Sequence, residues 1–169
     1  MTGQPERHRL PFDPIEEAAR LWDQRWEETP RMRAVTSLMR VHQLVLTELD
    51  ELLRPLGLTF ARYEVLVLLS FSRRGALPLG KIGERLQVHA TSVTPLVKRL
   101  ENAGLIQRTP HPEDGRAVLA SITPQGKVAL LQATEAIVNA RFALSSLSDE
   151  QCDQLTELLT PPRSAAGDF

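Results

Sequence analysis

Residues 90–105, ATSVTPLVKRLENAGL, place Val93, Leu96, Val97 and Leu100 at i, i+3, i+4 and i+7, which is one apolar stripe of a helix. At about 100° per residue, Thr91, Ser92, Thr94, Pro95, Lys98 and Arg99 then share the opposite face. Hydroxyls, an ammonium and a guanidinium are groups that donate to phosphate oxygens and base edges, and Pro95 offers an apolar contact suited to a thymine methyl. An ordinary solvated face mixes Glu with Lys to gain i,i+4 pairs, whereas the one carboxylate here, Glu101, lies toward the flank. The face suits a helix in the major groove of double-stranded DNA, with Thr91, Ser92, Thr94 and Lys98 reaching base edges or phosphates and Arg99 on a phosphate at the edge. Pro95 is expected in the first helical turn, where its missing amide is not needed. Catalytic patterns are missing: the chain has no G-x-S-x-G, H-E-x-x-H, P-loop or G-x-G-x-x-G. Its four histidines and single cysteine have no metal-ligand spacing. The expectation is a protein that is not an enzyme and uses no metal or cofactor.

The neighbours of this segment say how it is held. Gly104 is expected to stop the helix as a left-handed cap, and Leu105 to Thr109 reads as a short strand. His111 to Gly115, HPEDG, is a turn, and Val118, Ala120 and Ile122 alternate as a returning strand up to Thr123. Upstream, Leu79, Ile82 and Leu86 make the inner stripe of a short helix ending near Gln87 and Val88, and Leu77 to Leu79 can add a third strand. Gly83 in that helix costs up to ~1 kcal/mol relative to Ala, which points to close packing against the next helix. Helix, turn, helix and wing make a winged helix-turn-helix.

The run SVTPLVKRLENAGLIQR, the D-x-R at Asp114 to Arg116 and the IT-x-x-G at Ile122 to Gly126 resemble the MarR family of bacterial transcriptional regulators. The resemblance implies a mainly α fold: a winged helix-turn-helix with a small β-wing, flanked by N- and C-terminal dimerisation helices. It implies a homodimer that binds a pseudo-palindromic operator, most often as a repressor, and releases it when a small molecule binds. It also implies that Arg116 enters the minor groove, held by the carboxylate of Asp114; a narrow A·T-rich groove concentrates the negative potential that attracts it. The sequence departs from the pattern at Gly115, where many members carry a second wing arginine, and at Gly80, where a better N-cap is usual. A winged helix used for protein contact alone is the alternative.

Length and charge agree with this. A chain of 169 residues suits one compact unit with extensions, and 42% hydrophobic with 24% charged residues is ordinary for a soluble protein. No apolar run approaches the ~18 residues of a membrane span, and the N-terminus has no apolar signal core. With one Cys152 and no internal disulfide possible, the expected location is cytoplasmic. The net charge is −1, but from Arg73 to Arg116 eight Lys or Arg face four acids, 8 − 4 = +4, which leaves 12 − 17 = −5 elsewhere. Such asymmetry suits a basic head on acidic helices.

The flanks divide as 1–12, a disordered N-terminus; 13–57, N-terminal dimerisation helices; 58–123, the winged head; 124–160, C-terminal dimerisation helices; and 161–169, a loose tail. Asp13 caps a first helix, with Pro14 at its first position, that runs through IEEAARLWDQRWEE until Thr29 and Pro30 stop it. Its Trp22 and Trp26 want a partner surface: the protein's own core or dimer interface, or a ligand pocket. From Arg31 to Arg54 a long helix carries Val35, Leu38, Met39, His42, Leu46, Leu49 and Leu53 in a stripe. His42 reads either as a hydrogen-bonded buried histidine or as a pocket residue. Thr59 caps a central helix, apolar on every side around VLVLL, and the chain's one tyrosine, Tyr63, stands at its start. His42, Tyr63, Trp22 and Trp26 are the candidate site for a small aromatic or phenolic effector at the junction of head and long helices. Thr123 and Pro124 start a helix expected to reach Leu144. Ser148 and Gln151 form a capping box for the last, which Pro161 and Pro162 are expected to end. Cys152 lies in that last helix, away from the N-terminal helix where the family's organic-peroxide sensors keep their reactive cysteine, and reads as an inert thiol.

Overall fold

The computed structural model describes residues 10–86, 90–111 and 117–169, and of residues 90 and 91 the backbone only. Most of the N-terminal stretch expected to be disordered, the end of the first head helix at Gln87 and Val88, and the wing turn with Asp114 and Arg116 lie outside these residues. The chain forms two compact units, Met1–Val45 and Leu46–Phe169.

In the first unit, α1 (Pro14–Trp22) starts as its sequence predicts, with the Asp13 carboxylate accepting from the Ile15 amide at 2.8 Å. It ends at Trp22, several residues before the expected stop at Thr29. The Trp22 indole Nε1 donates to the Glu27 carbonyl at 2.8 Å and turns the chain. The two tryptophan rings tilt at 48° with centroids 4.9 Å apart. Thr29 and Pro30 then begin α2 (Thr29–Leu53) rather than only ending the helix before it, since proline suits a first turn. Along this unit's part of α2, Val35, Leu38, Met39 and His42 are all exposed. His42, read either as a hydrogen-bonded buried histidine or as a pocket residue, is exposed in the single chain: an apolar stripe names the face that wants cover, and the single chain leaves this one open.

The second unit takes up α2 where Leu49 and Leu53 are buried. A 3₁₀ turn (Arg54–Leu56) and Gly57, at φ 68°, end that helix. Thr59 caps α3 (Phe60–Phe71), which buries Tyr63, Val65, Leu66 and Leu69. Three antiparallel strands, β1 (Ala76–Pro78), β2 (Ile106–Pro110) and β3 (Val118–Ile122), lie in the order β1-β3-β2. Pro110 pairs with Val118 at the wing end and Ile106 with Ile122 at the other, while Ala76 pairs with Ser121 and Pro78 with Leu119, so a third strand is present one residue earlier than the expected Leu77 to Leu79. Between β1 and β2 come α4 (Leu79–Leu86) and α5 (Ala90–Asn102). Gly80 is the second residue of α4, not its cap, and Gly83 is buried as expected. Burial of Leu66, Leu69, Ile82, Val93, Val97, Leu100 and Ile137 makes the core, each such side chain contributing about 1.5–3 kcal/mol.

α6 (Pro124–Asn139) stops before the expected Leu144, because Arg141, Phe142 and Ala143 turn left-handed at φ 49°, 52° and 59°. α7 (Asp149–Ala165) opens on the expected capping box of Ser148 and Gln151. It then continues through Pro161 and Pro162, against the expectation of a loose tail from Pro161. Proline's fixed φ fits a helix; the cost is two amides that would have bonded the carbonyls of Glu157 and Leu158, and both residues are exposed, so water replaces them. Arg163 bonds Asp168 at 2.6 Å and stacks 5.3 Å from the Phe169 ring centre, which holds the end of the chain.

Candidate nucleic-acid interface

On α5, Val93, Val97 and Leu100 are 0–1% exposed and face the core, as their spacing requires. Ser92, Thr94, Pro95, Lys98 and Arg99 are all exposed on the other side, so the structure brings these candidates together on one helix face. The Thr91 side chain lies outside the described residues. Among the described residues neither Lys98 nor Arg99 forms an ion pair. Pro95 is the sixth residue of α5, which corrects its expected place in the first turn. Its ring removes the amide that would return to the carbonyl at 91.

Asn102 was missed by the sequence reasoning. It is exposed, and the series 91, 95, 98 and 102 runs i, i+4, i+7 and i+11, so it extends the same face to the C-terminal end of α5. Asparagine is a side chain that pairs with adenine. The signal was available in the spacing alone.

Three contacts fix α5 against the rest of the head. Gly104, at φ 71°, stops the helix, and the Leu105 amide returns to the Leu100 carbonyl at 3.0 Å. Arg108 of β2 reaches Glu101 with Nε at 2.7 Å and Nη2 at 2.6 Å from Oε2. That hydrogen bond holds the Glu101 carboxyl below its ordinary range against the opposing effect of desolvation, and it joins the recognition helix to the wing strand. Arg108 is thereby committed to Glu101. Third, the Thr123 hydroxyl donates to the Gly104 carbonyl at 2.7 Å and accepts from the Gly126 amide at 3.0 Å. The Thr123 amide bonds the Leu105 carbonyl at 3.1 Å, so the IT-x-x-G run pins the start of α6 to the end of α5.

The other candidates are placed as follows. Tyr63 is buried, its hydroxyl 3.2 Å from Thr134 Oγ1 on α6, and its ring is 5.9 Å from that of Phe60. His42 belongs to the first unit and Tyr63 to the second. Trp22 is half-buried and Trp26 exposed. Cys152 is half-buried in α7. Among the described residues no group of three His, Cys, Asp or Glu could hold a metal ion, and no helix is long and apolar enough to cross a membrane.

Comparison with known proteins adds a family to this geometry. The model of the MarR family matches residues 58–118. The chain is 32% identical to the HTH-type transcriptional repressor MdtR of Bacillus subtilis, over 77% of this chain and 83% of that protein. Among solved structures it is similar to Sco5413, a MarR family transcriptional regulator from Streptomyces coelicolor, with 48% identity, a TM-score of 0.78, and coverage of 83% of this chain and 97% of that one. The fold is shared with Sco3205, a MarR family regulator of the same organism solved in complex with DNA, at 24% identity and a TM-score of 0.76, covering 83% and 94% of the two chains. A winged head with α5 held between Gly104, Arg108 and Thr123, together with these likenesses, establishes that the chain belongs to the MarR family of transcriptional regulators.

Proposed function

We propose that this regulator binds a pseudo-palindromic DNA operator as a homodimer and represses the genes beside it. The observation that carries the reading is the exposed face of α5, where Ser92, Thr94, Pro95, Lys98 and Arg99 stand together with no carboxylate paired to the two cations among the described residues. A major groove admits such a helix, and two copies related by a two-fold axis would meet half-sites about one helical turn apart. The exposed stripe of Val35, Leu38 and Met39 on α2 and the exposed Val128 and Val138 on α6 support the homodimer, since apolar faces of this kind want a partner. Asp114 and Arg116 act at the wing, Arg116 reading the minor groove. An aromatic or phenolic effector releases the DNA by binding the incompatible spacing of the heads more tightly, for which about 1–3 kcal/mol suffices. The work is recognition without catalysis, and its place is the cytoplasm.

The experiment is selection of bound fragments from the source genome, followed by a mobility-shift assay on the recovered site. Two protomers per site are expected, and Arg116→Ala should lose about 1–3 kcal/mol, mostly on sites with A·T-rich flanks. One protomer per site would refute the dimer. Normal operator binding by the Arg116 variant would remove the wing assignment.

A further inference from the structure

Outside the DNA-facing surface, the second unit holds a cavity of about 720 Å³, within the ~300–1,000 Å³ range of small-molecule sites. Its position follows from the sheet. The Gly75 carbonyl accepts the Ile122 amide at 3.0 Å, which ties the turn after α3 to the last residue of β3, next to where α6 starts. β3 begins at the wing end, where Val118 pairs with Pro110. Four steps of strand from Val118 to Ile122 span roughly 13 Å, so the cavity lies at the end of the sheet away from the Val118–Pro110 pair.

The two sides of the cavity differ in chemistry. Arg73 and Arg74 come from the turn after α3, and Lys127 from the first turn of α6. Among the described residues none of these three cations forms an ion pair with a carboxylate. Three like charges lining one cavity repel each other, and Lys127 also stands at the helix end where the backbone dipole is positive and where α6 has no acidic residue. An anion in the cavity relieves both effects. The remaining lining is aliphatic: Ile122, the buried Leu130, and Leu131, which is 71% exposed.

We propose that this cavity binds an amphipathic organic anion, with a carboxylate or phosphate head on Arg73, Arg74 and Lys127 and a hydrocarbon body along Ile122, Leu130 and Leu131. The cavity lies within the second unit and none of its lining residues is on the exposed face of α5, so it stands whether or not the chain binds an operator.

The test is isothermal titration of the full chain with octanoate, octyl phosphate, 1-octanol and inorganic phosphate. Octanoate or octyl phosphate should bind at one per chain, and the stronger of the two identifies the head group. The neutral alcohol and inorganic phosphate should each bind at least about tenfold more weakly. Arg74→Gln combined with Lys127→Gln should weaken the anion by about tenfold or more and leave the alcohol unchanged, and Leu131→Ser should weaken both amphiphiles. If the double variant proves unstable, raising the salt concentration on the unaltered protein makes the same distinction, weakening the anion and not the alcohol. Equal binding of alcohol and anion, an anion affinity unmoved by the double substitution or by salt, or binding of neither amphiphile would overturn the proposal. Inorganic phosphate bound as tightly as octyl phosphate would mean an adventitious ion only and would overturn it as well.

Discussion

Gly126→Ala tests how the recognition helix is held. A methyl group built at Gly126 would lie 2.0 Å from the Leu105 carbonyl oxygen and 2.9 Å from Ile122 Cγ1. Close C–H···O contacts stop near ~3.3 Å, so roughly 1.3 Å of displacement is needed. The carbonyl cannot swing aside freely, because it accepts the Thr123 amide at 3.1 Å. Overpacking costs about 1–3 kcal/mol, and losing that hydrogen bond adds on the order of 1 kcal/mol. Alanine returns up to ~1 kcal/mol of helix propensity. The balance is a loss of about 2 kcal/mol, which for a chain of this size lowers Tm by roughly 4–8 °C. Thermal unfolding followed by circular dichroism, at matched protein concentration, measures it. Since the same contact sets α6 against the end of α5, operator affinity should fall too. A variant that melts at or above the unaltered protein would refute the reasoning, because it would mean that the close approach of Gly126 to Leu105 is not needed.

Two further predictions concern pH. Burial pushes the Glu64 carboxyl up from its ordinary value of 4.5, so the folded chain holds this proton more tightly than the unfolded chain. Its contribution is fully present below pH 4.5 and lost as pH rises through the folded value; Glu64→Gln should therefore stabilise at pH 7 and gain nothing near pH 4, as read by denaturant unfolding at the two values. Glu101 has the opposite sign. Its carboxyl is lowered by the hydrogen bond from Arg108, so its contribution is present above pH 4.5 and lost as pH falls through the folded value. Glu101→Gln should be less stable than the unaltered protein at neutral pH, and the two should converge in acid; a constant gap across that range would show that the ion pair is not its source.

The head was legible because its signals are local. The spacing of Val93, Val97 and Leu100 fixes the buried side of α5 and so its exposed side, and Gly104, Thr123 and the alternation of β3 mark the ends of elements by turn and cap chemistry. The same arithmetic reaches Asn102, which was overlooked at the helix end. What was not legible depends on contacts across the chain. The Trp22 indole finds the Glu27 carbonyl and ends α1 early, and no period in the sequence announces that. Pro161 and Pro162 look like stops, yet their dihedral angles suit α7 and the carbonyls they orphan face water. His42 sits on an apolar stripe, but a stripe says only that a face wants cover, not which surface covers it. The IT-x-x-G run was visible as a pattern; its reason, a backbone carbonyl that leaves no room for a side chain at Gly126, appears only in three dimensions.

The most direct test of the central claim, that the exposed face of α5 meets DNA, is the slope of log K against log salt for operator binding, measured by fluorescence anisotropy on the unaltered protein and on Lys98→Ala. Neutralised phosphates release counterions, so the unaltered protein should lose affinity steeply as salt rises. Removing one phosphate contact from each of two protomers should flatten the slope by about two units, with affinity weakened alike on all sequences. An unaltered protein whose affinity ignores salt, or a Lys98 variant with an unchanged slope and affinity, would contradict the account.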